Sequence, residues 1–389
     1  AIAEMRLKSL TGLERGKIEE EYLSLIKDIE YYNSILASEL MVSNIVKNEL
    51  LEIKKVHGDK RRSKITQSAE EFNEEDLIDE QEVAVTLTHY GYIKRLPADT
   101  YKSQRRGGRG ITALQTREDD FVEHLFITST HNYLLFFTNK GRMYRLKAYE
   151  IPEAGRQAKG TALVNLLHLD GAEKVSAVIP IKGFEDEGYL IFMTKKGTIK
   201  KTELKQYASQ RVTGLNAITL RDEDELISVK LTRGTSELMA ITRHGLSIRF
   251  PESDVRDMGR SAMGVKGVTL NPDDSVIALD IVEENAELLV ISEKGFGKRT
   301  PLSEYRVQSR GGKGIKTSNI TGKTGYLVGA KVVKDDCEVM LISAEGIIIR
   351  MAIDGISVMG RSTQGVTLMK LAENDSVVAL AKIVPDEEC

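Results

Sequence analysis

The chain has 389 residues, a formal net charge of −3 and 41% hydrophobic residues, a composition that is ordinary for a globular protein. Its length is too great for one compact core and predicts two or three domains or a single repeat array. The sequence lacks the uninterrupted apolar run of roughly 18 residues that a membrane-spanning helix needs. The two cysteines, Cys337 and Cys389, exclude a disulfide framework and a cysteine-based zinc site, and they fit a reducing cytoplasm. Because the chain begins at Ala1 without a signal-peptide pattern, we expect a fragment of a longer cytoplasmic protein.

Residues 1–66 are predicted to form a helical arm. Thr11 and Glu14 have the spacing of a capping box, and Ser38 is a candidate N-cap for a second helix that stops at Gly58. Six apolar residues after the first cap are spaced alternately four and three apart, as on a coiled-coil strand: Ile18, Tyr22, Leu25, Ile29, Tyr32 and Leu36. The alternative is an amphipathic helix that packs on a globular domain.

Residues 67–82 are predicted to be an acidic linker. The stretch is rich in Asp and Glu and poor in apolar residues, so self-repulsion is expected to keep it partly extended. Residues 1–82 carry a net charge of −7, whereas residues 83–389 carry +4. The net charge of the whole chain is therefore negative although its C-terminal part is basic.

From residue 83 onward the sequence repeats six times. A turn glycine recurs at intervals of 48 to 56 residues: Gly91, Gly141, Gly197, Gly245, Gly295 and Gly346. A second glycine follows it by 19 residues in five units and by 17 in the third: Gly110, Gly160, Gly214, Gly264, Gly314 and Gly365. The residue ten after the turn glycine is apolar in each unit.

The repeats have the character of short β-strands. Runs such as Leu134–Thr138 and Leu190–Thr194 are apolar and bounded by turns, and the glycine that follows each run supplies the positive φ of a tight hairpin. A period near 50 residues with about four strands per unit predicts a propeller-like ring of blades. Residues 83–389 are therefore predicted to be one mainly β, six-bladed domain.

One position in the repeat is basic in all six units. The fourth residue after the turn glycine forms this series, which we call the basic series: Arg95, Arg145, Lys201, Arg249, Arg299 and Arg350. Further candidates lie beside it: Lys94, Arg142, Lys200 and Lys298. A single lysine or arginine on an edge strand commonly prevents edge pairing, but six in register predict a cationic perimeter that would bind the phosphates of duplex DNA.

The densest local motif is a loop in the first unit: Gln104, Arg105, Arg106, Gly107, Gly108, Arg109 and Gly110. Glycines let the backbone approach a phosphate closely, and arginines offer forked donors to phosphate oxygens. The alternative is a flexible basic turn. Unit five contains a weaker copy over 308–314, in which Arg310 and Lys313 are the basic residues.

Residues 104–110 match the seven-residue gyrase box, and the six-fold repeat resembles the β-pinwheel at the C-terminal end of the DNA gyrase A protein, a strand-exchanged relative of the propeller. The segments at residues 10–15 and 58–62 resemble the end of that family's coiled-coil arm. The resemblance implies the fold class: a six-bladed β-pinwheel preceded by a helical coiled-coil arm.

The resemblance also implies a function. The domain would wrap duplex DNA around a basic rim with positive handedness, so that a type II topoisomerase can introduce negative supercoils. It implies the gyrase B protein and a second copy of the gyrase A protein as partners in an A2B2 assembly, close to the chromosome and away from membranes. The catalytic tyrosine would lie outside this fragment, which would hold no cofactor, and ATP and Mg2+ would be used elsewhere in the holoenzyme.

Two other functions remain open. A topoisomerase IV-type domain would recognise DNA geometry without strong wrapping, although its box is usually degenerate. A propeller of the chromatin-condensation-regulator type would be a protein-binding scaffold. A nucleotide site at Thr321–Thr324 is disfavoured because the loop lacks the first glycine of a P-loop, and the six histidines lack paired metal-ligand spacing.

Overall fold

A computed structural model describes residues 12–63, 74–97 and 122–383, apart from 156–157, 172, 186, 210, 212, 336, 346 and 373–374. The chain divides into two compact units, Ala1–Phe72 and Asn73–Cys389. The first contains two helices and the second contains all the strands. The gyrase-box residues 104–110 lie outside the described residues.

The first unit consists of helix α1 (Gly12–Leu36) and helix α2 (Glu39–His57). The predicted cap at Ser38 is confirmed, because its side chain accepts a hydrogen bond from the Met41 amide at 3.4 Å. The predicted stop is confirmed too, since the Gly58 amide donates to the Lys54 carbonyl at 2.8 Å. The proposed cap at Thr11 lies outside the described residues.

The apolar stripe of α1 is open to solvent. All six residues of the predicted coiled-coil seam are more than half exposed, from 53% at Ile29 to 79% at Leu36. In proteins most of the stability of a helix comes from packing of its apolar face. The stripe therefore stays a predicted coiled-coil surface.

The second unit contains six antiparallel sheets, which we number as blades 1 to 6 in chain order. Three strands of each blade come from one repeat unit. They are β1 (Glu82–Thr88), β2 (Tyr92–Pro97) and β3 (Val122–Ser129) in blade 1; β4 (Tyr133–Thr138), β5 (Arg142–Lys147) and β7 (Val175–Ile181) in blade 2; β8 (Tyr189–Thr194), β9 (Thr198–Glu203) and β11 (Leu226–Thr232) in blade 3; β12 (Glu237–Thr242), β13 (Leu246–Pro251) and β15 (Val276–Ile281) in blade 4; β16 (Glu287–Ser292), β17 (Phe296–Pro301) and β19 (Leu327–Val333) in blade 5; and β20 (Glu338–Ser343), β21 (Ile348–Ala352) and β23 (Val377–Ile383) in blade 6.

The fourth strand of blades 1 to 5 is donated by the following repeat unit. These exchanged strands are two residues long and pair with the second strand of the preceding blade: β6 (Thr161–Ala162), β10 (Leu215–Asn216), β14 (Val265–Lys266), β18 (Ile315–Lys316) and β22 (Val366–Thr367). The predicted six-bladed, strand-exchanged architecture is therefore confirmed. Each of units two to six therefore forms three strands of its own blade and adds a short fourth strand to the preceding blade.

The two glycines of the repeat have different roles. Five turn glycines have φ between 75° and 81° at the hairpins, as predicted; the sixth, Gly346, lies outside the described residues. The second glycine immediately precedes the exchanged strand. At Gly264, where φ is 96°, an added Cβ would lie only 2.6 Å from the Ile199 carbonyl oxygen of the preceding blade. Strand exchange therefore requires glycine there on two grounds, backbone conformation and close approach.

The apolar core lies between neighbouring blades. Five clusters fill the spaces between successive pairs, for example Phe136 and Leu134 of blade 2 against Val85 of blade 1. The strands β7, β11, β15, β19 and β23 each lie beside the next, and β23 lies beside β3. These strands are therefore nearest the axis of the ring, and the exchanged strands at the opposite edge of each sheet lie on its outer perimeter.

The C-terminal part of the predicted linker does not extend freely. Glu74–Leu77 is a short 3-10 helix, and Glu75 Oε1 lies 2.6 Å from Lys147 Nζ of blade 2. The Thr130 amide donates to the Gln81 carbonyl at 2.9 Å. Specific ion pairing and backbone hydrogen bonds thus outweigh the self-repulsion expected for 74–82.

Candidate nucleic-acid interface

The basic series connects one blade to the next. Each residue lies in the second strand of its blade, and the arginine side chains of blades 1, 2, 4 and 5 donate to carbonyl groups at the end of the next unit's 3-10 turn. Arg95 Nε donates to the Ile151 carbonyl at 2.6 Å, and Arg145 Nη1 donates to the Ala208 carbonyl at 2.8 Å. Arg299 Nε donates to the Ile356 carbonyl at 2.8 Å. These side chains therefore satisfy backbone acceptors that a 3-10 turn leaves open.

Carboxylates neutralise most of the same positive charges. Arg249 Nη2 lies 2.5 Å from Glu237 Oε2, and Lys201 Nζ lies 3.3 Å from Asp257 Oδ1. Arg350 is paired with Glu338.

Burial corrects the expectation that the whole series faces solvent. The side chains of Lys201 and Arg299 are only 8% and 6% exposed, so neither is presented at the surface of the ring, and their contact with phosphates stays a prediction. The cause is the position of the second strand, which neighbouring elements cover on both faces. Arg350, at 50% exposed, stays a candidate.

The lysines one residue earlier are more deeply buried. Lys94, Lys200 and Lys298 have 0–1% of their surface exposed, and their ammonium groups bond backbone carbonyls rather than facing the perimeter. Lys298 Nζ donates to the Gly360 and Arg361 carbonyls at 2.7 and 2.6 Å. Burial lowers the pKa of Lys200 to about 7 and that of Lys298 to about 8. These lysines therefore do not face the outer perimeter, and the DNA contact predicted for them stays a prediction.

The remaining described candidates differ in availability. Arg142 is exposed, and its guanidinium nitrogens lie 3.8–3.9 Å from carboxylate oxygens of Glu173 and Asp170. Arg310 is used within the structure, since its Nε donates to the Asp254 carbonyl at 3.0 Å and its Nη1 to the Lys266 carbonyl. Lys313 is exposed. Contact of Arg142 and Lys313 with DNA stays a prediction.

Further exposed basic residues lie at the outer perimeter, and of these the sequence prediction named only Lys313. We call them the outer cations: Arg256, Lys266, Arg306, Lys313 and Lys316. Lys266 and Lys316 stand on the exchanged strands β14 and β18. Lys316 Nζ bonds the neutral amide oxygen of Asn319 at 2.6 Å, so its charge is not cancelled by that partner. Their signal was in the sequence, because 256/306 and 266/316 recur at the 50-residue spacing of the repeat.

Within the ranges that the structure describes, no group of His, Cys, Asp and Glu side chains could hold a metal ion. None of the described helices is both long enough and apolar enough to cross a bilayer.

Comparison with known proteins places the ring in a family. The family described as "DNA gyrase C-terminal domain, beta-propeller" matches six segments: 83–129, 132–182, 188–233, 236–283, 286–334 and 338–383. The chain is 58% identical over 389 residues to the DNA gyrase A protein of Halalkalibacterium halodurans, and 54% identical over 387 residues to that of Clostridium acetobutylicum. Each match covers 100% of this chain and 47% of the relative, so the chain spans about half the length of these relatives.

Solved structures agree with this placement. The C-terminal domain of DNA topoisomerase IV is similar with a TM-score of 0.69 at 28% identity, covering 79% of this chain and 94% of that one. The DNA gyrase A C-terminal domain is similar with a TM-score of 0.64, also at 28% identity, covering 78% of this chain and 100% of that one. The six matched segments coincide with the six blades, and the chain therefore belongs to the DNA gyrase A C-terminal domain family.

Proposed function

We propose that the ring binds duplex DNA along its outer perimeter and wraps it with positive handedness. The observation that carries the proposal is the placement of the outer cations of units four and five, where Arg256 and Arg306 stand in register and Lys266 and Lys316 occupy equivalent positions on the exchanged strands. Contacts of this kind reach phosphates without reading bases, so binding is expected to be independent of sequence.

The energetics of bending are compatible with such a surface. Bending a 20–30 base-pair segment by 40–90° costs about 1–6 kcal/mol. A perimeter that offers phosphate contacts on consecutive units offsets this cost step by step as the duplex advances. Because the buried basic residues stiffen the junctions between blades, the perimeter is a preformed template for the bend.

In the holoenzyme, the chain would be part of the gyrase A protein of an ATP-dependent type II topoisomerase. The gyrase B protein and a second gyrase A protein would complete an A2B2 assembly associated with the chromosome in the cytoplasm. ATP and Mg2+ would act elsewhere in that assembly. This fragment would supply the wrapped DNA segment and would have no supercoiling activity alone.

Neutralising two outer cations tests the perimeter assignment. Lys266→Ala/Lys316→Ala should lower the slope of log affinity against log salt concentration by about 1.8, or about 0.9 for each lost phosphate contact. Lys182→Ala is the matched control, because Lys182 is exposed but follows the axial strand β7. An unchanged slope in the double variant, or an equal fall in the control, would place the DNA elsewhere.

A further inference from the structure

In units two to six a perimeter loop lies between the 3-10 turn and the exchanged strand, and we call it the rim loop. The rim loop of unit four, residues 256–264, contains Arg260. Residues of the preceding unit hydrogen-bond both the main-chain amide and the main-chain carbonyl of Arg260. The Arg260 amide donates to Gln206 Oε1 at 3.0 Å, and its carbonyl accepts a hydrogen bond from the buried Lys200 ammonium. The main chain at Arg260 is therefore fixed from within the ring.

The same pair of main-chain hydrogen bonds recurs two units later. In the rim loop 357–365, the Arg361 amide donates to Glu304 Oε2 at 3.1 Å, and its carbonyl accepts from Lys298 Nζ at 2.6 Å. Both Glu304 and Lys298 belong to the preceding unit. In blade 1, Lys94 Nζ donates to the carbonyls of Gly155 and Ala158, at 3.2 and 3.0 Å, in the corresponding loop.

The rim loop 306–314 is held differently. The Arg310 amide donates to Asp254 Oδ2 at 3.1 Å, as in the other loops, but the residue equivalent to Lys200 is Ile248. Here the arginine's own guanidinium ties down the loop by donating to the Asp254 and Lys266 carbonyls. The side chain of Arg310 therefore does the work that a buried lysine does elsewhere.

The guanidinium groups in the lysine-held loops are less engaged. Among the described residues, Arg260 Nη1 has no hydrogen-bond partner. Arg361 Nη1 makes only a long bond of 3.5 Å to the Lys316 carbonyl, and its Nε lies 3.8 Å from Glu304. The Nη1 atom of Arg260 is itself buried, whereas the residue as a whole is half-buried, so an anion would meet the exposed part of this side chain.

We propose that Lys200 and Lys298 are positioning residues, which tether their rim loops from inside so that the Arg260 and Arg361 guanidiniums are available to DNA phosphates. The inference rests on the proposed wrapping function and deepens it. Two kinds of rim loop are then present in units four to six. In one, a lysine holds the loop and the arginine is offered to the ligand; in the other, the arginine holds its own loop.

The surroundings of Lys200 couple it to Arg260. Lys200 Nζ also donates to the Ala217 carbonyl at 2.6 Å, and the same carbonyl accepts a hydrogen bond from the Tyr207 hydroxyl at 3.0 Å. Lys200 Nζ lies 5.2 Å from the centre of the Phe192 ring. Burial first, and then the Arg260 charge, lower the pKa of Lys200. A phosphate at Arg260 would weaken that repulsion and raise the pKa of Lys200. DNA binding should then take up a proton above about pH 7.

A double-mutant cycle in DNA affinity tests the tether. We compare Lys200→Met, Arg260→Ala and the double variant across a salt series, with Ile248→Met as the control at the equivalent position of blade 4. Each single variant should lower the salt slope by about 0.9, and the double variant should lower it no further. The control should retain the wild-type slope. Hydrogen exchange at 259–262 should be faster in Lys200→Met, because the Arg260 carbonyl loses its donor.

The pH profile separates positioning from a merely structural role. Wild-type affinity should fall as pH rises through the pKa of Lys200, and this dependence should be lost in Lys200→Met. A wild-type slope in Lys200→Met, or additive losses in the cycle, would overturn the tether while leaving wrapping intact. If wild-type protein does not bind DNA, the proposed function itself fails. Should Lys200→Met not fold, the Lys298→Met and Arg361→Ala pair gives the same cycle in the rim loop 357–365.

Discussion

Arg299 distinguishes a residue that joins blades from one that contacts DNA. Its side chain is 6% exposed and binds the Ile356 carbonyl, Glu287 Oε2 at 2.8 Å and Asp335. Arg299→Met keeps much of the volume but leaves the Glu287 carboxylate and a turn carbonyl without their donor. Removing one partner of a buried pair costs about 3–5 kcal/mol. Because Asp335 is largely in solvent, we expect about 3 kcal/mol, the lower end of that range.

Thermal unfolding measures this loss directly. For a domain of this size, about 3 kcal/mol corresponds to a fall in Tm of roughly 5–10 °C. Arg350→Met is the matched control, since Arg350 occupies the same repeat position but is 50% exposed, where an ion pair contributes less than about 1 kcal/mol. The DNA salt slope should be unchanged in Arg299→Met. A normal Tm together with a reduced salt slope would refute the assignment of Arg299 as an inter-blade contact.

Four other predictions follow from the sequence and the structure. Gly264→Ala should lower Tm by several degrees, because φ of 96° and the 2.6 Å approach to the Ile199 carbonyl both oppose a Cβ; a wild-type Tm would contradict the role of this glycine in strand exchange. The free energy of unfolding should rise between about pH 7 and pH 10, because folding depresses the pKa of Lys200 and the unfolded chain therefore binds one more proton in this range. The contribution of Lys200 to this rise is at most about 1.4 kcal/mol per pH unit. Chemical denaturation should show a smaller rise in Lys200→Met, and an identical pH profile would exclude this cause. Replacing Arg105, Arg106 and Arg109 together by Ala should abolish chiral wrapping but retain much of the affinity in gel-shift titrations; normal writhe would remove the box from the wrapping surface. Deleting residues 1–57 should make the chain more monomeric by light scattering, since the exposed stripe of α1 is lost, while DNA affinity at fixed salt stays nearly unchanged.

The architecture was largely predictable because backbone conformation is encoded locally. A turn glycine after an apolar run indicates a tight hairpin. Its recurrence in six units predicts six blades. The Ser38 cap and the stop at Gly58 were predictable for the same reason, since a side-chain oxygen or a glycine acts within one turn of helix. The second glycine was visible as a repeat, but its physical reason appeared only with the Ile199 carbonyl beside Gly264.

The interface was predicted less well because the burial of the second strand depends on residues that are distant in the sequence. Lys200 and Lys201 are adjacent in a strand, so their side chains point to opposite faces of the sheet. Both nevertheless contact the rim loop 256–264 of the next unit, Lys200 at the Arg260 carbonyl and Lys201 at the Asp257 carboxylate. The recurrence of a basic residue in every unit was interpreted as a DNA-binding surface. In the structure the same recurrence corresponds to a repeated contact between neighbouring units. Lys266 and Lys316, on the short exchanged strands, carried a weaker pattern but remain exposed.

The most direct test of wrapping is the topology of nicked circular DNA that is religated with the protein bound. Duplex that follows the outer perimeter with positive handedness is trapped after ligation as a positive shift in linking number that grows with the protein-to-DNA ratio. Lys266→Ala/Lys316→Ala should reduce the shift, and Lys182→Ala should leave it unchanged. Binding without any preferred writhe would contradict chiral wrapping and favour a topoisomerase IV-type recognition of DNA geometry, and the absence of any effect on DNA would favour a protein-binding scaffold.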